Sequence, residues 1–243
     1  MESVDYLCQR VKDVINEDPA AVLDQISGLV DTPLMALEKA VKPLVGIVPE
    51  VEKYADMSVQ FSRWVTNVPQ GCGRDGIAAI NLLTREWADH KESLHHLLNE
   101  RLRDSNRQKL KPFLPVLKLL LNGLHHLPVY EGVLWRGVNA NITDRYPTGE
   151  VFAWQGFSSC VGDKETEEGP VVLGDSGERT FFCIQTSKGH AIGQYAEFQT
   201  ESEVMLTPGL FFEIGNVIDA GDGLTIVELH DTSPLRKTMD YPI

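Results

Sequence analysis

The sequence predicts an α+β fold in which the helices come first and the strands second. Apolar residues recur at helical spacing up to about residue 127, and short runs rich in branched and aromatic residues replace them from Val129 onward. Strands that follow helices, rather than alternate with them, are typical of α+β architecture. The sequence contains no internal repeat and no Gly-x-Gly-x-x-Gly motif, which disfavours a doubly wound dinucleotide-binding fold.

Composition predicts a globular protein that does not bind nucleic acid as its main task. The chain has 243 residues, of which 42% are hydrophobic, and this is enough for one large core or two small domains. Its 22 basic and 35 acidic residues give a net charge of −13, which repels phosphate backbones and suits a basic protein partner. The four cysteines lack the close spacing of a disulfide framework or a zinc site, so we expect reduced thiols and no metal.

The N-terminus has neither the basic start nor the apolar core of a signal peptide, and no apolar run reaches the length of a membrane span. We therefore expect an intracellular, cytoplasmic protein without a membrane span. Removal of a targeting segment, or secretion as an effector by an unconventional route, stays open.

Residues 1–66 are predicted to form a helical N-terminal segment that serves packing, partner binding or both. Helical patterns cover residues 4–15, 19–29 and 34–45. The loop over 68–76, rich in glycine and proline, predicts a boundary that leaves residues 67–243 as a second domain.

That domain is predicted to contain a helical lobe over 75–127 and a β core over 129–231. Asp75 is placed to cap the first helix of the lobe, and the last helix, Lys109 to His126, is apolar enough to be largely buried. Six strands are predicted for the core: Gly132–Val138, Val151–Cys160, Arg179–Thr186, Val204–Leu206, Leu210–Val217 and Leu224–Leu229.

Three short motifs carry the candidate chemistry. Arg136 interrupts an apolar strand, and its planar donor fork suits a carboxylate or a pyrophosphate, while Gly137 permits close approach of a ligand. Ser158 and Ser159 follow a glycine and an aromatic residue, and the Gly-x-Ser-x-Gly motif of a nucleophile elbow is absent. The two serines are therefore expected to donate hydrogen bonds and not to react. Taken alone, Arg136 is more simply interpreted as the partner of a surface acid.

Glu201 and Glu203 form the third motif. Side chains alternate along a strand, so both carboxylates point the same way if the strand Val204–Leu206 extends back to them. Two such acids can have different roles: one stabilises a positive centre, and the other binds a cation or accepts a proton. An isolated pair of this kind is equally typical of a solvated strand start.

In this order the motifs Trp135-Arg136-Gly137, Gly156-Phe157-Ser158-Ser159 and Glu201-Ser202-Glu203 resemble the Arg, Ser and Glu elements of the arginine-specific mono-ADP-ribosyltransferases. The helical segment over 75–127 resembles the lobe that precedes the first catalytic strand in that family. The resemblance spans roughly residue 70 to the end. It implies a two-sheet β core, NAD as co-substrate without a metal, and transfer of ADP-ribose to an accessible arginine of a target protein. A toxin, an effector and a housekeeping enzyme all fit this description.

The resemblance also implies a role for each motif. Arg136 would hold NAD through its phosphates, and the Gly137 backbone would meet the nicotinamide amide. The Ser-Thr-Ser element of the family maps onto Ser159-Cys160-Val161 and keeps only its first serine. Ser159 would orient the catalytic glutamate and the nicotinamide ribose, and Ser158 takes this role if the register is one residue off.

Glu203 corresponds to the catalytic glutamate, whose carboxylate favours the positive charge that develops on the ribose. Glu201 corresponds to the acid that docks the acceptor guanidinium. The loop over 190–200 matches the acceptor-recognition turn through Tyr195 and Phe198, although Phe198 fits a core position equally well. The loop over 161–180 lacks the aromatic that stacks on nicotinamide, which Phe181 or Phe182 would replace unless they are core residues.

Two alternatives accompany this hypothesis. Hydrolysis of NAD to ADP-ribose and nicotinamide could dominate over transfer. The fold could also survive as an inactive interaction module that binds a partner through its N-terminal helices, in which case Glu203→Gln would change nothing measurable.

Overall fold

The computed structural model of the chain describes residues 17–162, 177–199 and 203–241. They form two compact units. Of the described residues, the helical unit comprises 23–128, 192–199 and 237–241, and the strand unit comprises 17–22, 129–162, 177–191 and 203–236. The predicted order of helices before strands is confirmed. The helical pattern over 4–15 lies outside the described residues.

The described part of the helical unit contains five α-helices, with short 3-10 helices in three of the four connections between them. They are α1 (Leu37–Ala40), α2 (Val51–Trp64), α3 (Gly73–Thr84), α4 (Leu94–Arg103) and α5 (Leu114–His125). The last helix was predicted to begin at Lys109, but Arg107–Phe113 forms a 3-10 helix. The α-helix α5 begins at Leu114, with Pro115 in its first turn. Residues 23–66 lie in the same compact unit as 75–127, and a separate role for residues 1–66 stays a prediction.

Close packing of α3 on α5 depends on two facing glycines. A Cβ added to Gly76 would lie 3.1 Å from the Cα of Gly123, and a Cβ added to Gly123 would lie 3.1 Å from the carbonyl oxygen of Gly76.

Asp75 does not cap α3. It lies in the first turn, and its Oδ1 accepts the backbone N–H of Leu37 at 2.8 Å, which ties α3 to the start of α1.

The predicted helix over 19–29 is wrong, because these residues lie in turns and extended backbone. The carboxylate of Asp240 accepts the backbone N–H groups of Gly28 at 2.6 Å and Leu29 at 3.1 Å. Lys118 donates from Nζ to the carbonyl oxygen of Leu29 at 2.7 Å. These distant side chains bind backbone groups that a helix would pair internally, so tertiary contacts override the local pattern.

The strand unit contains seven strands, and each predicted strand is present. They are β1 (Val129–Val138), β2 (Val151–Trp154), β3 (Ser158–Gly162), β4 (Arg179–Ala191), β5 (Glu203–Leu206), β6 (Leu210–Gly221) and β7 (Leu224–Thr232). The run predicted as one strand over 151–160 is two, because β2 pairs with β6 whereas β3 pairs with β1 and β5.

The strands follow the order β1-β3-β5-β4-β7-β6-β2, and β1 also pairs with β4. All neighbours are antiparallel except β4 and β7. The seven strands form one sheet, in which the pairing of β1 with β4 closes a ring through β1, β3, β5 and β4. Side chains from all seven strands meet in one hydrophobic core, where the ring of Phe182 lies 5.5 Å from that of Trp154. The helices and this multi-stranded core confirm the predicted α+β fold, and Phe182 lies in the interior of the core.

Two kinds of feature are missing from the described part of the chain. Every helix there is too short or too polar to cross a membrane. None of its histidine, cysteine, aspartate and glutamate side chains form a group of three or more that could hold a metal ion.

Candidate active site

The ladder between β3 and β5 brings Ser159 and Glu203 to one face. Val161 pairs with Glu203 and Ser159 pairs with Met205. Paired residues share a face, and side chains two positions apart share it too, so Ser159 and Glu203 are diagonal neighbours. Ser158 lies on the opposite face, which belongs to the hydrophobic core. The register therefore favours Ser159 over Ser158 as the serine beside Glu203.

Both groups are removed from solvent. Glu203 is the first residue of β5, and its exposed fraction, like that of Ser159, is 0%. The Ser159 hydroxyl has no hydrogen-bond partner among the described residues. Buried hydroxyls normally make a hydrogen bond. The Ser159 hydroxyl, which lies on the same face as the Glu203 carboxylate, is therefore suited to bind a ligand hydroxyl or that carboxylate.

Arg136 reaches the same strand from β1. Its side chain is 1% exposed, and Nη1 donates to the carbonyl oxygen of Ser159 at 2.7 Å. The register between β1 and β3 ends at Trp135, so Arg136 lies where the two strands separate. Alternation along β1 places Arg136 on the face of Leu134, which belongs to the hydrophobic core, and not on that of Trp135. Arg136 and Glu203 thus both lie beside β3.

Cys160 follows Ser159 and occupies the second position of the expected Ser-Thr-Ser element. Burial raises the pKa of its thiol to about 12, the Arg136 guanidinium opposes this rise, and the Glu203 carboxylate adds to it. The thiol therefore stays protonated and packs as an apolar side chain in the core.

An aromatic pair lies on the Glu203 face of the sheet. Trp135 pairs with Val161, which pairs with Glu203, so the three side chains form a row across β1, β3 and β5. The ring of Phe181 lies 6.2 Å from that of Trp135, edge to face, and Phe181 pairs with Gly137. Both rings are half-buried. Sequence reasoning considered Phe181 but overlooked Trp135, because only the strand register shows which face it occupies.

Glu17 is a further residue that sequence reasoning missed. Its buried carboxylate accepts the backbone N–H groups of Gly156 at 3.0 Å and Gln155 at 3.4 Å, in the turn between β2 and β3. This turn leads directly into Ser158 and Ser159. No local signal marks Glu17, because its partners lie 138 and 139 positions away.

The residues predicted to recognise the acceptor belong to the helical unit, apart from Glu201, which lies outside the described residues. Tyr195 is buried, and its hydroxyl donates to the carbonyl oxygen of Asn67 at 3.2 Å while accepting from Nε2 of Gln194 at 2.8 Å. These contacts indicate a packing role for the ring. Phe198 is half-buried. Acceptor recognition by Tyr195, Phe198 and Glu201 stays a prediction.

Comparisons with known proteins identify the family of the chain. A family model described as NAD:arginine ADP-ribosyltransferase matches residues 46–234. A relative from Mycobacterium avium, the NAD(+)–arginine ADP-ribosyltransferase Mav, is 29% identical over 113 residues, which are 45% of this chain and 13% of the relative. The chain thus spans about an eighth of the length of the curated relative it matches.

Solved structures show the same fold at low identity. The eukaryotic mono-ADP-ribosyltransferase ART2.2 is 17% identical with a TM-score of 0.56, and the match covers 84% of this chain and 85% of that one. The ADP-ribosyltransferase Vis of Vibrio splendidus, in complex with agmatine, is 18% identical with a TM-score of 0.51, covering 84% and 90%. The family model covers well over half of the sequence, and the chain is therefore a member of the NAD:arginine ADP-ribosyltransferase family.

Proposed function

We propose that this protein is an NAD-dependent mono-ADP-ribosyltransferase that transfers ADP-ribose from NAD to arginine side chains of a protein and releases nicotinamide. The observation that carries the proposal is the shared face of Ser159 and Glu203 on the β3–β5 ladder, with Arg136 bound to the same strand. A hydroxyl, a carboxylate and a guanidinium are the groups that this transfer needs in one place.

NAD fits the residues present. The donor fork of Arg136 suits the pyrophosphate, and Gly137 lets the nicotinamide amide approach the backbone. The Ser159 hydroxyl, which no described residue satisfies, suits a ribose hydroxyl. Phe181 and Trp135 present half-buried rings on the Glu203 face and would replace the stacking aromatic that the loop over 161–180 lacks.

Glu203 has the main catalytic role in this proposal. Bound NAD supplies the ADP-ribose group and a nicotinamide leaving group. As the bond between the ribose C1′ and the nicotinamide nitrogen breaks, its electron pair leaves with nicotinamide, and the Glu203 carboxylate stabilises the positive charge that develops on the ribose. Ser159 holds the carboxylate and the ribose in position.

Glu201 has the acceptor role. An arginine guanidinium is protonated in solution, so a carboxylate is needed to dock it and to accept one proton as the new bond between C1′ and a guanidinium nitrogen forms. The complex of Vis with agmatine, a guanidinium compound, supports an acceptor of this class. When water replaces the guanidinium, the same cleavage gives ADP-ribose.

The test uses the full chain, NAD labelled in its adenylate half, and agmatine as the acceptor. We expect ADP-ribosyl-agmatine and nicotinamide in equal amounts, and a loss of both by about 10²- to 10³-fold in Glu203→Gln. Glu201→Gln should keep nicotinamide release and lose the labelled agmatine. Release of nicotinamide without labelled agmatine from the wild type would identify an NAD glycohydrolase, and an absence of both would refute the proposal.

The target protein is a second question. The net charge of −13 favours a basic target with an accessible arginine. Mass spectrometry of ADP-ribosylated peptides in a lysate treated with wild type or Glu203→Gln would identify that target. An intracellular site of action stays a prediction.

A further inference from the structure

The connection between β2 and β3 is bound by a side chain from outside the sheet. The ladder of β2 with β6 ends at Trp154, and that of β3 with β5 begins at Ser158. The backbone N–H groups of Gln155 and Gly156 therefore lie between the two ladders. The carboxylate of Glu17 accepts both, at 3.4 Å and 3.0 Å, in a buried position. One distant carboxylate thus supplies the acceptors for two consecutive buried N–H groups.

The start of β3 depends on side chains as well as on strand pairing. Strand β5 pairs with β3 from Ser158 to Val161, whereas the register of β3 with β1 reaches back only to Val161. On the β1 side, the Arg136 guanidinium donates to the carbonyl oxygen of Ser159. The first residues of β3 are therefore held by one strand, by Arg136 and, through the preceding turn, by Glu17.

The bound turn lies close to the candidate active site along the chain. Gly156 precedes Ser159 by three residues. The chain between them spans at most about 10 Å, so a fixed Gly156 limits where Ser159 can lie. Ser159 shares a buried sheet face with Glu203, and Glu17, β3 and β5 all belong to the strand unit. Because a displacement of about 1 Å can cost about 10²-fold in rate, the Glu17 contact acts where small movements matter.

We propose that Glu17 is a positioning residue of the candidate active site: its carboxylate fixes the start of β3 and thereby holds Ser159 beside Glu203. This inference rests on the proposed function. Glu17 acts on the reaction through β3 and not on NAD directly. It precedes residues 46–234, so the contact lies outside the part of the chain that the family model matches.

The experiment compares Glu17→Gln with a matched variant of the same unit, both in the full chain. The glutamine keeps the shape of the side chain but turns an NH2 group toward one of the two N–H groups, so it satisfies only the other. Asp231→Asn is the control, because the Asp231 carboxylate also accepts a backbone N–H, that of Ser187 at 2.9 Å. Asp231 lies on β7, three strands along from β3 in the sheet. Thermal unfolding measures the stability of each variant.

Two kinetic readouts separate a displaced site from a less stable protein. A smaller folded fraction lowers kcat for nicotinamide release and leaves KM for NAD unchanged, whereas a displaced Ser159 weakens the ribose contact and raises KM. The double variant of Glu17→Gln with Ser159→Ala gives the second readout, because residues that act through one another have non-additive effects.

We expect Glu17→Gln to raise KM for NAD by about 3- to 10-fold and to lower kcat/KM by about 10- to 50-fold. In the Ser159→Ala background, the same change should cost no more than about twofold. Asp231→Asn should lower Tm and keep the wild-type KM for NAD.

The inference is overturned by an unchanged KM in Glu17→Gln, by an equal rise of KM in Asp231→Asn, or by a full additional loss in the double variant. Should Glu17→Gln fail to fold, Glu17→Asp, which draws the carboxylate back by one methylene group, decides in its place through the same rise in KM. A wild type that cleaves no NAD refutes the proposed function, whereas an active wild type with an unaffected Glu17→Gln refutes this inference alone.

Discussion

Replacement of Ser159 by alanine removes one buried oxygen from the sheet face that Glu203, on the neighbouring strand β5, also occupies. Replacement of the adjacent Ser158 removes the same atom from the opposite face. Both side chains are fully buried, and neither hydroxyl has a hydrogen-bond partner among the described residues. The two variants thus match in chemistry, burial and strand position, and they differ only in the face they change.

The magnitudes follow from these contacts. A hydrogen bond to a charged group contributes about 1.5–3 kcal/mol, so its loss at Ser159 should reduce kcat/KM for NAD by about 10- to 150-fold. Neither substitution removes a bond to a described residue, so the free energy of unfolding should change by at most about 1 kcal/mol. For a chain of this size, that corresponds to a shift in Tm of at most about 4 °C.

The assay combines nicotinamide release over a range of NAD concentrations with thermal unfolding by circular dichroism. Ser159→Ala should lose activity and keep its Tm, and Ser158→Ala should keep both, with kcat/KM within about twofold of the wild type. Equal losses in the two variants, or a larger loss in Ser158→Ala, would refute the argument from strand register. A wild-type rate in Ser159→Ala would remove this serine from the catalytic site.

Four further predictions concern other parts of the chain. Glu203→Gln should lower NAD cleavage by about 10²- to 10³-fold with an unchanged circular dichroism spectrum, and wild-type activity would instead favour an inactive interaction module. Glu17→Gln should lower the free energy of unfolding by about 1–3 kcal/mol in urea titrations, because the turn before β3 loses an ionised acceptor, whereas the exposed Glu150→Gln should not. Burial raises the pKa of the Cys160 thiol from 9.0 to about 12, so the unfolded chain releases this proton first and stability falls as pH rises through that window. The urea midpoint should drop between about pH 9 and about pH 12, and less so in Cys160→Ala. Gly123→Ala should cost about 1–3 kcal/mol, measured by thermal unfolding, because the new methyl group meets the backbone of α3.

Helix prediction worked where the pattern was long and apolar and failed where distant groups intervene. Helix α5 could be predicted from its own residues alone, because its apolar face is nearly continuous. The pattern over 19–29 looked equally helical, yet Asp240 and Lys118 bind its backbone from the far end of the chain and from α5. No local property of residues 19–29 reports those contacts.

For the candidate site, too, local motifs could be predicted from the sequence whereas long-range contacts could not. Arg136, Ser159 and Glu203 could be named from short motifs in the right order, because each motif is local and the residue types match the chemistry. The choice between Ser158 and Ser159 needed the pairing of β3 with β5. The anchoring of the β2–β3 turn by Glu17, and the ion pair between Arg85 and Glu197, needed contacts across more than one hundred positions.

The amino-acid sequence by itself determined the order of helices and strands, the family, and the residue types available for chemistry. Those properties follow from periodicity and from motifs a few residues long, which depend only on neighbours along the chain. Tertiary structure alone decided which face each motif occupies and which distant side chains hold it there. The physical reason is that a strand shifted by one residue reverses every face while keeping the same local pattern, so only long-range pairing can select the register.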